Sequence, residues 1–351
     1  MTRIAAVRCV LPPNRYAQKE ITNRLAELWL SPETGRDLLD RLHTSTRVEY
    51  RHLALPIEEY GKLDGFGTAN EIYIDAAVDL GTEAVRAALE AAGLAASDVD
   101  LIIVASTTGV AAPSLDARMA GRLGLRPDVK RLPIFGLGCV AGAAGIARLH
   151  DYLRGAPGEV AVLLAVELCS LTLQRGDSSI ANLVASGLFG DGAAAVVACG
   201  DERPGSGPAV AATRSRLYRD SERVMGWDVR DSGFQVVLDV GIPELVRTHL
   251  ADDVQGFLSD QGLTTEDVTA WVCHPGGPKV LEAVAAALDL PDGALDATWR
   301  SLAGAGNLSS ASALFVLRDT LASPHPPPAG TPGVLLAMGP GFCSELVLLR
   351  W

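Results

Sequence analysis

The pattern of hydrophobic and polar positions changes period repeatedly along this chain, and the changes predict strands alternating with helices. Short apolar runs, typical of buried strands, occur at 101–105, 160–166 and 193–199, and a similar run at 4–10 is interrupted only by Arg8. Apolar residues recur at helical spacing over 76–95, and a second helical pattern follows at 115–123. We therefore expect an α/β protein in which strands and helices pack tightly against one another.

One segment divides the chain into two parts. Residues 200–208 are rich in glycine, proline and charge and contain few apolar positions, which is typical of a joint between domains. A chain of 351 residues is also longer than one simple core usually supports. We therefore predict an N-terminal half, residues 1–203, and a C-terminal half, residues 204–351.

The C-terminal half repeats a pattern of the N-terminal half. A glycine turn followed by a helix of small residues at 136–146 returns at 304–314, with Asn307 in the place of Cys139. Two similar halves packed about a pseudo-two-fold axis would bring both helix starts to one cavity. His274 ends the strand that precedes the Asn307 segment, so we expect it to reach the same cavity.

Composition narrows the classes of function. A formal net charge of −12 argues against nucleic acid as a partner, so an anionic substrate must be met by local basic residues. No apolar run is long enough to span a membrane, and the N-terminal residues lack the pattern of a signal peptide. The six cysteines are widely spaced and form no CxxC pair, so we expect a cytoplasmic, reduced protein without a metal site.

Three residue types at these positions suit acyl-transfer chemistry. Cys139 stands at a helix start, where the helix dipole favours the thiolate, and a thiolate can hold an acyl group as a thioester. His274 can pair with the sulfur and donate to an oxyanion, and Asn307 is a neutral donor at any pH. These motifs contain no carboxylate base, which favours a carbanion formed by loss of carbon dioxide.

Six motifs resemble those of a known enzyme family and occur in the family's order. The chain is similar to type III polyketide synthases, relatives of plant chalcone synthase within the thiolase superfamily. Its character is nearest to the bacterial enzymes that make alkylresorcinols and alkylpyrones. The motifs are Phe135-Gly136-Leu137-Gly138-Cys139, Val166-Glu167-Leu168-Cys169-Ser170, Leu188-Phe189-Gly190-Asp191-Gly192, His274-Pro275-Gly276-Gly277-Pro278, Gly306-Asn307-Leu308-Ser309-Ser310 and Met338-Gly339-Pro340-Gly341-Phe342.

The resemblance implies a fold and an activity. The fold would be a thiolase-like, five-layered αβαβα arrangement of two pseudo-two-fold-related halves, assembled as a homodimer without metal or prosthetic group. A starter, expected to be a fatty acyl group, would pass from CoA to Cys139. His274 and Asn307 would hold the thioester oxygen while malonyl-CoA, or methylmalonyl-CoA, loses carbon dioxide. Repeated Claisen condensation and cyclisation would then give a resorcinol, a pyrone or a related aromatic.

The resemblance also assigns residues around the cavity. Phe189 and Phe234 match two gate positions, although plain core packing would also explain both phenylalanines. Ala112 stands where plant relatives carry a methionine that reaches the neighbouring subunit's cavity, so the plant product is not expected. The positions that match the cavity lining are Thr107, Cys169 and Thr172.

Binding of CoA requires cations at the tunnel mouth. Arg47 and Arg51 lie in a basic stretch of an otherwise acidic chain, and Lys279 begins the helix after the histidine motif. We expect these three residues to contact the CoA phosphates, with an ordinary solvated turn as the alternative for the arginines.

Three rival functions are weighed against this one. A ketoacyl-ACP synthase III also uses Cys, His and Asn, but its histidine usually stands in a His-Gln-Ala-Asn context, unlike His274. A biosynthetic thiolase requires a second cysteine near the C-terminus, and Cys343 fits only by position. A non-catalytic acyl-binding homologue typically loses its nucleophile, whereas this chain keeps Cys139.

Overall fold

The computed structural model describes residues 1–29, 35–203 and 205–351; Pro204, where the predicted C-terminal half begins, lies outside them. The strands are β1 (Thr2–Val10), β2 (Asn14–Ala17), β3 (Tyr50–Leu53), β4 (Leu101–Ala105), β5 (Lys130–Ile134), β6 (Val160–Leu168), β7 (Asp191–Cys199), β8 (Ala209–Leu217), β9 (Met225–Arg230), β10 (Gly233–Leu238), β11 (Ala270–Cys273), β12 (Pro332–Gly339) and β13 (Cys343–Arg350). The helices are α1 (Gln18–Trp29), α2 (Arg36–Ser45), α3 (Gly65–Ala92), α4 (Leu115–Leu123), α5 (Ala141–Gly155), α6 (Ile180–Leu188), α7 (Ile242–Ser259), α8 (Pro278–Ala287), α9 (Asp296–Ala305) and α10 (Ser312–Leu321).

The two halves repeat one strand arrangement. In the described part of the chain, nine strands form a continuous sheet in the order β11-β12-β13-β8-β1-β7-β6-β4-β5. The parallel pair β4 and β6 corresponds to the parallel pair β11 and β12, and each pair continues into an antiparallel neighbour, β7 or β13. Within the described residues, β5 has no counterpart in the C-terminal half. The predicted internal repeat is therefore confirmed at the level of topology.

Helices cover the sheet in layers. The buried inner helices α5 and α10 pack between the halves, in one core cluster with residues of β6, β12 and β13. On the outer faces, α3 and α4 cover the N-terminal strands, and α7 and α8 cover the C-terminal strands. The N-terminal and C-terminal parts of the nine-stranded sheet face the inner helices from opposite sides, so the layers run helix–sheet–helix–sheet–helix. This order confirms the predicted five-layered fold.

Small residues allow the inner helices to approach each other. A Cβ atom on Gly142 of α5 would lie 2.2 Å from the backbone oxygen of Ser310, just before α10. Glycine is therefore required at this contact, and it brings the start of each inner helix to the boundary between the halves. Of the helices in the described ranges, none has the length and apolar character needed to cross a membrane.

Candidate active site

A cavity of about 430 Å³ lies where the two halves meet. Cys139 from the N-terminal half and His274 and Asn307 from the C-terminal half all line it. The hairpin of β9 and β10 and the helices α6 and α8 complete the wall. The structure therefore brings the three predicted chemical groups into one chamber. The remaining predicted residues that line it are Thr107, Cys169, Thr172, Phe189 and Lys279.

Cys139 occupies a short 3₁₀ turn, Gly138–Val140, directly before α5. Its Sγ donates to the hydroxyl of Ser309 at 3.7 Å. Burial is the largest influence on the thiol and raises its pKa to about 12, against smaller opposing effects of hydrogen bonds from Ser309 and Asn307. The backbone at this helix start lowers the thiol pKa, in the predicted direction, but desolvation outweighs it, so the neutral thiol is favoured overall.

His274 follows β11 and is 8% exposed. Its backbone N–H donates to the oxygen of Leu336 at 2.8 Å, which anchors the residue to β12. Its Nδ1 is buried and has no hydrogen-bond partner among the described residues. Burial lowers the pKa of the imidazole to about 3, so the ring is neutral near pH 7. A neutral imidazole that lines the same cavity as a neutral thiol can take the proton from sulfur when an acyl group arrives.

Asn307 is 2% exposed and is fixed on all sides. Its carboxamide oxygen accepts from the Ser309 N–H at 2.8 Å and from the Ser312 hydroxyl at 3.3 Å. Its backbone N–H donates to the oxygen of Leu188 at 2.8 Å, and its backbone oxygen accepts from the Gly190 N–H at 2.9 Å. Because the oxygen is occupied, the NH₂ group is the end left to donate to a ligand.

Two site residues were given no role by the sequence analysis. Glu167 on β6 is fully buried beneath the site and accepts from the Thr107 N–H at 3.0 Å, the Thr108 hydroxyl at 2.9 Å and the Ser310 hydroxyl at 2.5 Å. Burial raises the pKa of its carboxyl. A lone glutamate at the end of the apolar run 160–168 was the signal for it.

Trp227 is the second of these residues. It lines the cavity from β9, and its indole N–H donates to the Thr107 backbone oxygen at 2.9 Å. Phe234, predicted as a gate, instead lies behind this tryptophan at 4% exposure, with ring centroids 5.9 Å apart. Phe234 lines a neighbouring pocket that shares Thr172 with this cavity, and Trp227 supplies the cavity wall in front of it. Its role as a second gate stays a prediction.

The predicted surface residues fall into three environments. Arg51 is 1% exposed, so the prediction that it meets CoA at the tunnel mouth is wrong. Arg47 is exposed and pairs with Glu282 at 2.9 Å, while Lys279 opens α8 at the cavity wall. Ala112 lies at the surface and outside the cavity of its own chain, so its contact with a neighbouring subunit stays a prediction.

Comparison with known proteins identifies the family. The sequence model of the N-terminal domain of chalcone and stilbene synthases matches residues 4–202, and that of the C-terminal domain matches residues 210–351. The chain belongs to the chalcone and stilbene synthase family. It is 62% identical over 353 aligned residues to the 1,3,6,8-tetrahydroxynaphthalene synthase of Streptomyces peucetius subsp. caesius, covering 100% of this chain and 93% of that protein.

Solved structures of this family have the same fold. The 1,3,6,8-tetrahydroxynaphthalene synthase of Streptomyces coelicolor A3(2), a bacterial type III polyketide synthase, superposes with a TM-score of 0.94 at 30% identity, over 99% of each chain. PKS-I from the brown alga Ectocarpus siliculosus gives 0.91 at 27% identity, over 99% of this chain and 98% of that one. The thiolase-like fold of the type III polyketide synthases is therefore confirmed.

Membership of the family also decides the general activity. This chain is a type III polyketide synthase, an acyltransferase of the chalcone synthase family whose members use CoA thioesters. The ketoacyl-ACP synthase III, thiolase and non-catalytic alternatives are set aside. The fatty acyl starter, the resorcinol or pyrone product, the homodimer, the cytoplasmic location and the lack of a cofactor stay predictions.

Proposed function

We propose that this synthase joins malonyl units on Cys139 and releases 1,3,6,8-tetrahydroxynaphthalene. The observation that carries the mechanism is the convergence of Cys139, His274 and Asn307 on one cavity. Support for the product is the 62% identity, over the whole chain, to a synthase named for that compound.

The first step loads Cys139. The sulfur attacks the carbonyl carbon of an acyl-CoA thioester while His274 takes the thiol proton. The carbon–sulfur bond to CoA breaks, and the imidazolium returns the proton to the CoA thiolate. An acyl thioester on Cys139 and free CoA result, and the neutral imidazole is restored. This sequence uses the neutral thiol and neutral ring, which burial favours at this site.

The second step makes the carbon nucleophile. The carboxylate carbon of malonyl-CoA leaves as carbon dioxide, and its bonding electrons form an enolate at the thioester. The Asn307 NH₂ group and an imidazole N–H of His274 donate to the enolate oxygen. Of the described residues that line the cavity, only Asp239 is acidic, and it is exposed at the edge. Decarboxylation therefore replaces proton abstraction by a base.

The third step forms the carbon–carbon bond. The enolate carbon attacks the thioester carbonyl on Cys139, and the sulfur leaves as the new β-keto thioester forms on CoA. Transfer of that chain back to Cys139 starts the next cycle. The lining hydroxyls of Thr107 and Thr172 are suited to an oxygen-rich chain.

The composition of the product favours malonyl units over a fatty acyl starter. The ten ring carbons of a naphthalene equal five two-carbon units, each supplied by a malonyl group that loses carbon dioxide. No alkyl chain is present in 1,3,6,8-tetrahydroxynaphthalene. A fatty acyl starter would instead leave an alkyl group on a resorcinol or pyrone, which is the product class that the sequence analysis expected.

Binding of CoA and pairing of subunits belong to the same proposal. Lys279 at the cavity wall and Arg47 nearby on the surface would meet the CoA phosphates. Ala112 is surface-exposed, as a residue contributed to a partner subunit has to be. A second copy of the chain completes this assembly.

Incubation with malonyl-CoA alone tests the product. We expect a C₁₀H₈O₄ product by mass spectrometry, and an acyl-enzyme mass that disappears in Cys139→Ala. A second incubation adds a panel of fatty acyl-CoAs. Products that carry an alkyl chain, with none from malonyl-CoA alone, would replace the naphthalene assignment with the resorcinol or pyrone. An enzyme that neither gains acyl mass nor releases carbon dioxide would refute the proposed mechanism.

A further inference from the structure

Arg51 is a buried cation without an assigned role. It lies on β3 at 1% exposure and does not line the cavity. Removing a guanidinium from water is costly unless hydrogen bonds and opposite charge compensate for it. Burial lowers its pKa to about 10, so it is still cationic at pH 7. A group kept charged in the interior is expected to hold something in place.

The Arg51 guanidinium is hydrogen-bonded to the segment that contains Phe189. Its Nη1 donates to the backbone oxygen of Phe189 at 2.8 Å. Its Nε donates to the Gln18 side-chain oxygen at 3.0 Å, and the Gln18 amide donates in turn to the oxygen of Gly187 at 2.7 Å. Arg51 and Gln18 therefore hold both ends of residues 187–189, where α6 ends and the chain turns toward β7.

The aliphatic part of the same side chain supports the Asn307 segment. A Cβ atom on Gly306 would lie 3.3 Å from both Cγ and Cδ of Arg51, and Gly306 has a φ of 76°. Only glycine suits this backbone conformation and this close contact. Arg51 thus packs directly against the residue that precedes Asn307.

The two segments held by Arg51 are bonded to each other. Phe189 and Asn307 form an isolated parallel bridge, through the Asn307 N–H to Leu188 and the Gly190 N–H to Asn307. One side chain therefore contacts both strands of the bridge from the side away from the cavity. The neighbouring Asp191 carboxylate favours the arginine charge, and it is itself held by the N–H groups of Ala54 and Ser170.

We infer that Arg51 is a positioning residue, which sets the direction of the Asn307 carboxamide and of the Phe189 ring by clamping this bridge. The inference rests on the proposed role of Asn307 in holding the malonyl thioester oxygen. It concerns malonyl decarboxylation and not the loading of Cys139, because the Cys139 turn makes no contact with Arg51 among its described hydrogen bonds.

The test separates the two half-reactions. In Arg51→Met, we expect the kcat for carbon dioxide release from malonyl-CoA to fall about 100-fold, the usual effect of displacing a reacting group by about 1 Å. Acylation of Cys139 by an acyl-CoA, followed by intact mass, should stay within about threefold of the wild type. Arg51→Lys keeps a charge and one donor for the Phe189 oxygen, so it should recover about tenfold of the lost decarboxylation.

Hydrogen exchange provides a readout that does not depend on activity. In Arg51→Met, amides of 187–190 and 306–308 should exchange faster, while those of α5 exchange as in the wild type. The matched control is Arg15→Met, which removes an exposed arginine from β2 of the same two-stranded sheet and should change neither half-reaction. If Arg51→Met does not fold, Arg51→Lys alone must show reduced decarboxylation with normal loading.

Two results would overturn the inference. Equal losses of loading and decarboxylation, without rescue by lysine, would show a general structural role. Unchanged exchange at 187–190 and 306–308 in a folded Arg51→Met protein would show that nothing is clamped. If wild-type protein neither loads nor decarboxylates, the proposed function fails, and the exchange data still decide whether Arg51 fixes the bridge.

Discussion

The starts of the two inner helices, α5 and α10, are equivalent by topology and opposite in character. Each is a short 3₁₀ turn, Gly138–Val140 in one half and Ser309–Ala311 in the other, followed by a buried helix. At the first, Cys139 Sγ makes one long hydrogen bond among the described residues, to Ser309 at 3.7 Å, and lies near the Asn307 side chain. At the second, Asn307 is held through its carboxamide oxygen and both of its backbone groups.

The difference shows how two copies of one motif take different roles in one reaction. A nucleophile must move to attack, carry a growing chain and be released again, so weak contacts suit it. A donor that stabilises an enolate works best when it is already aimed, because reorientation during the reaction would cost free energy. Both behaviours follow from the hydrogen bonds that each residue makes, while the surrounding fold of the two halves is similar.

Removing the nucleophile, Cys139, should give the largest effect on activity. In Cys139→Ala, we expect condensation to fall by roughly 10⁴-fold or more, because no covalent acyl intermediate can form. Carbon dioxide release from malonyl-CoA should persist within about tenfold, since Asn307 and His274 are untouched. Product mass spectrometry and release of labelled carbon dioxide check the two parts. Loss of both activities to the same extent would break the division of labour between the helix starts.

Altering Asn307 should give the opposite pattern, with decarboxylation reduced and loading of Cys139 largely kept. Asn307→Asp keeps an oxygen for the Ser309 and Ser312 donors but replaces the NH₂ group with a second acceptor. We expect decarboxylation to fall about 10²- to 10³-fold, because a donor to the enolate is lost. Acylation of Cys139, measured by intact mass over time, should slow by less than about tenfold. Faster loss of loading than of decarboxylation would contradict the assignment.

The next largest effect should come from disturbing the packing between the two helix starts, and it should be a loss of stability. In Gly142→Ala, the new methyl group would meet the Ser310 oxygen at 2.2 Å, a contact that requires the helices to separate. We expect a loss of about 3 kcal/mol in the free energy of unfolding, measured by urea denaturation.

A glycine from an outer helix serves as the control. A Cβ atom on Gly121 in α4 has no heavy atom within 4 Å, so Gly121→Ala should stabilise the protein by about 0.5–1 kcal/mol through helix propensity. Equal effects of the two substitutions would mean that the inner helices are not in close contact.

Local pattern was enough to predict the repeat and the three convergent side chains, because strand and helix periods and glycine turns are short-range signals. The five layers were predicted from the resemblance to type III polyketide synthases. The environment of single residues was not predictable in this way. From the sequence, Arg51 was predicted to be a surface cation. Its buried partners, Gln18 and the Phe189 oxygen, are distant in sequence and approach it only in the folded chain. Likewise, the pKa of Cys139 is raised by burial within the whole chamber, and the position of a residue at a helix start does not predict that burial.

The smallest effect should come from the contact that joins the two helix starts. Ser309→Ala removes the hydroxyl that contacts Cys139 Sγ and that lowers the thiol pKa by donating to the thiolate. It retains the backbone N–H that fixes Asn307. A hydrogen bond of this kind contributes about 0.5–1 kcal/mol, so the thiolate fraction at a given pH should fall about threefold. Alkylation of Cys139 by iodoacetamide, followed by peptide mass, should show this at every pH from 7 to 9.

Because the thiol pKa lies at about 12, both proteins should react about tenfold faster per pH unit without a plateau. A plateau near neutral pH would reveal a resident thiolate paired with imidazolium, and a threefold loss of decarboxylation would show that Ser309 also aims Asn307.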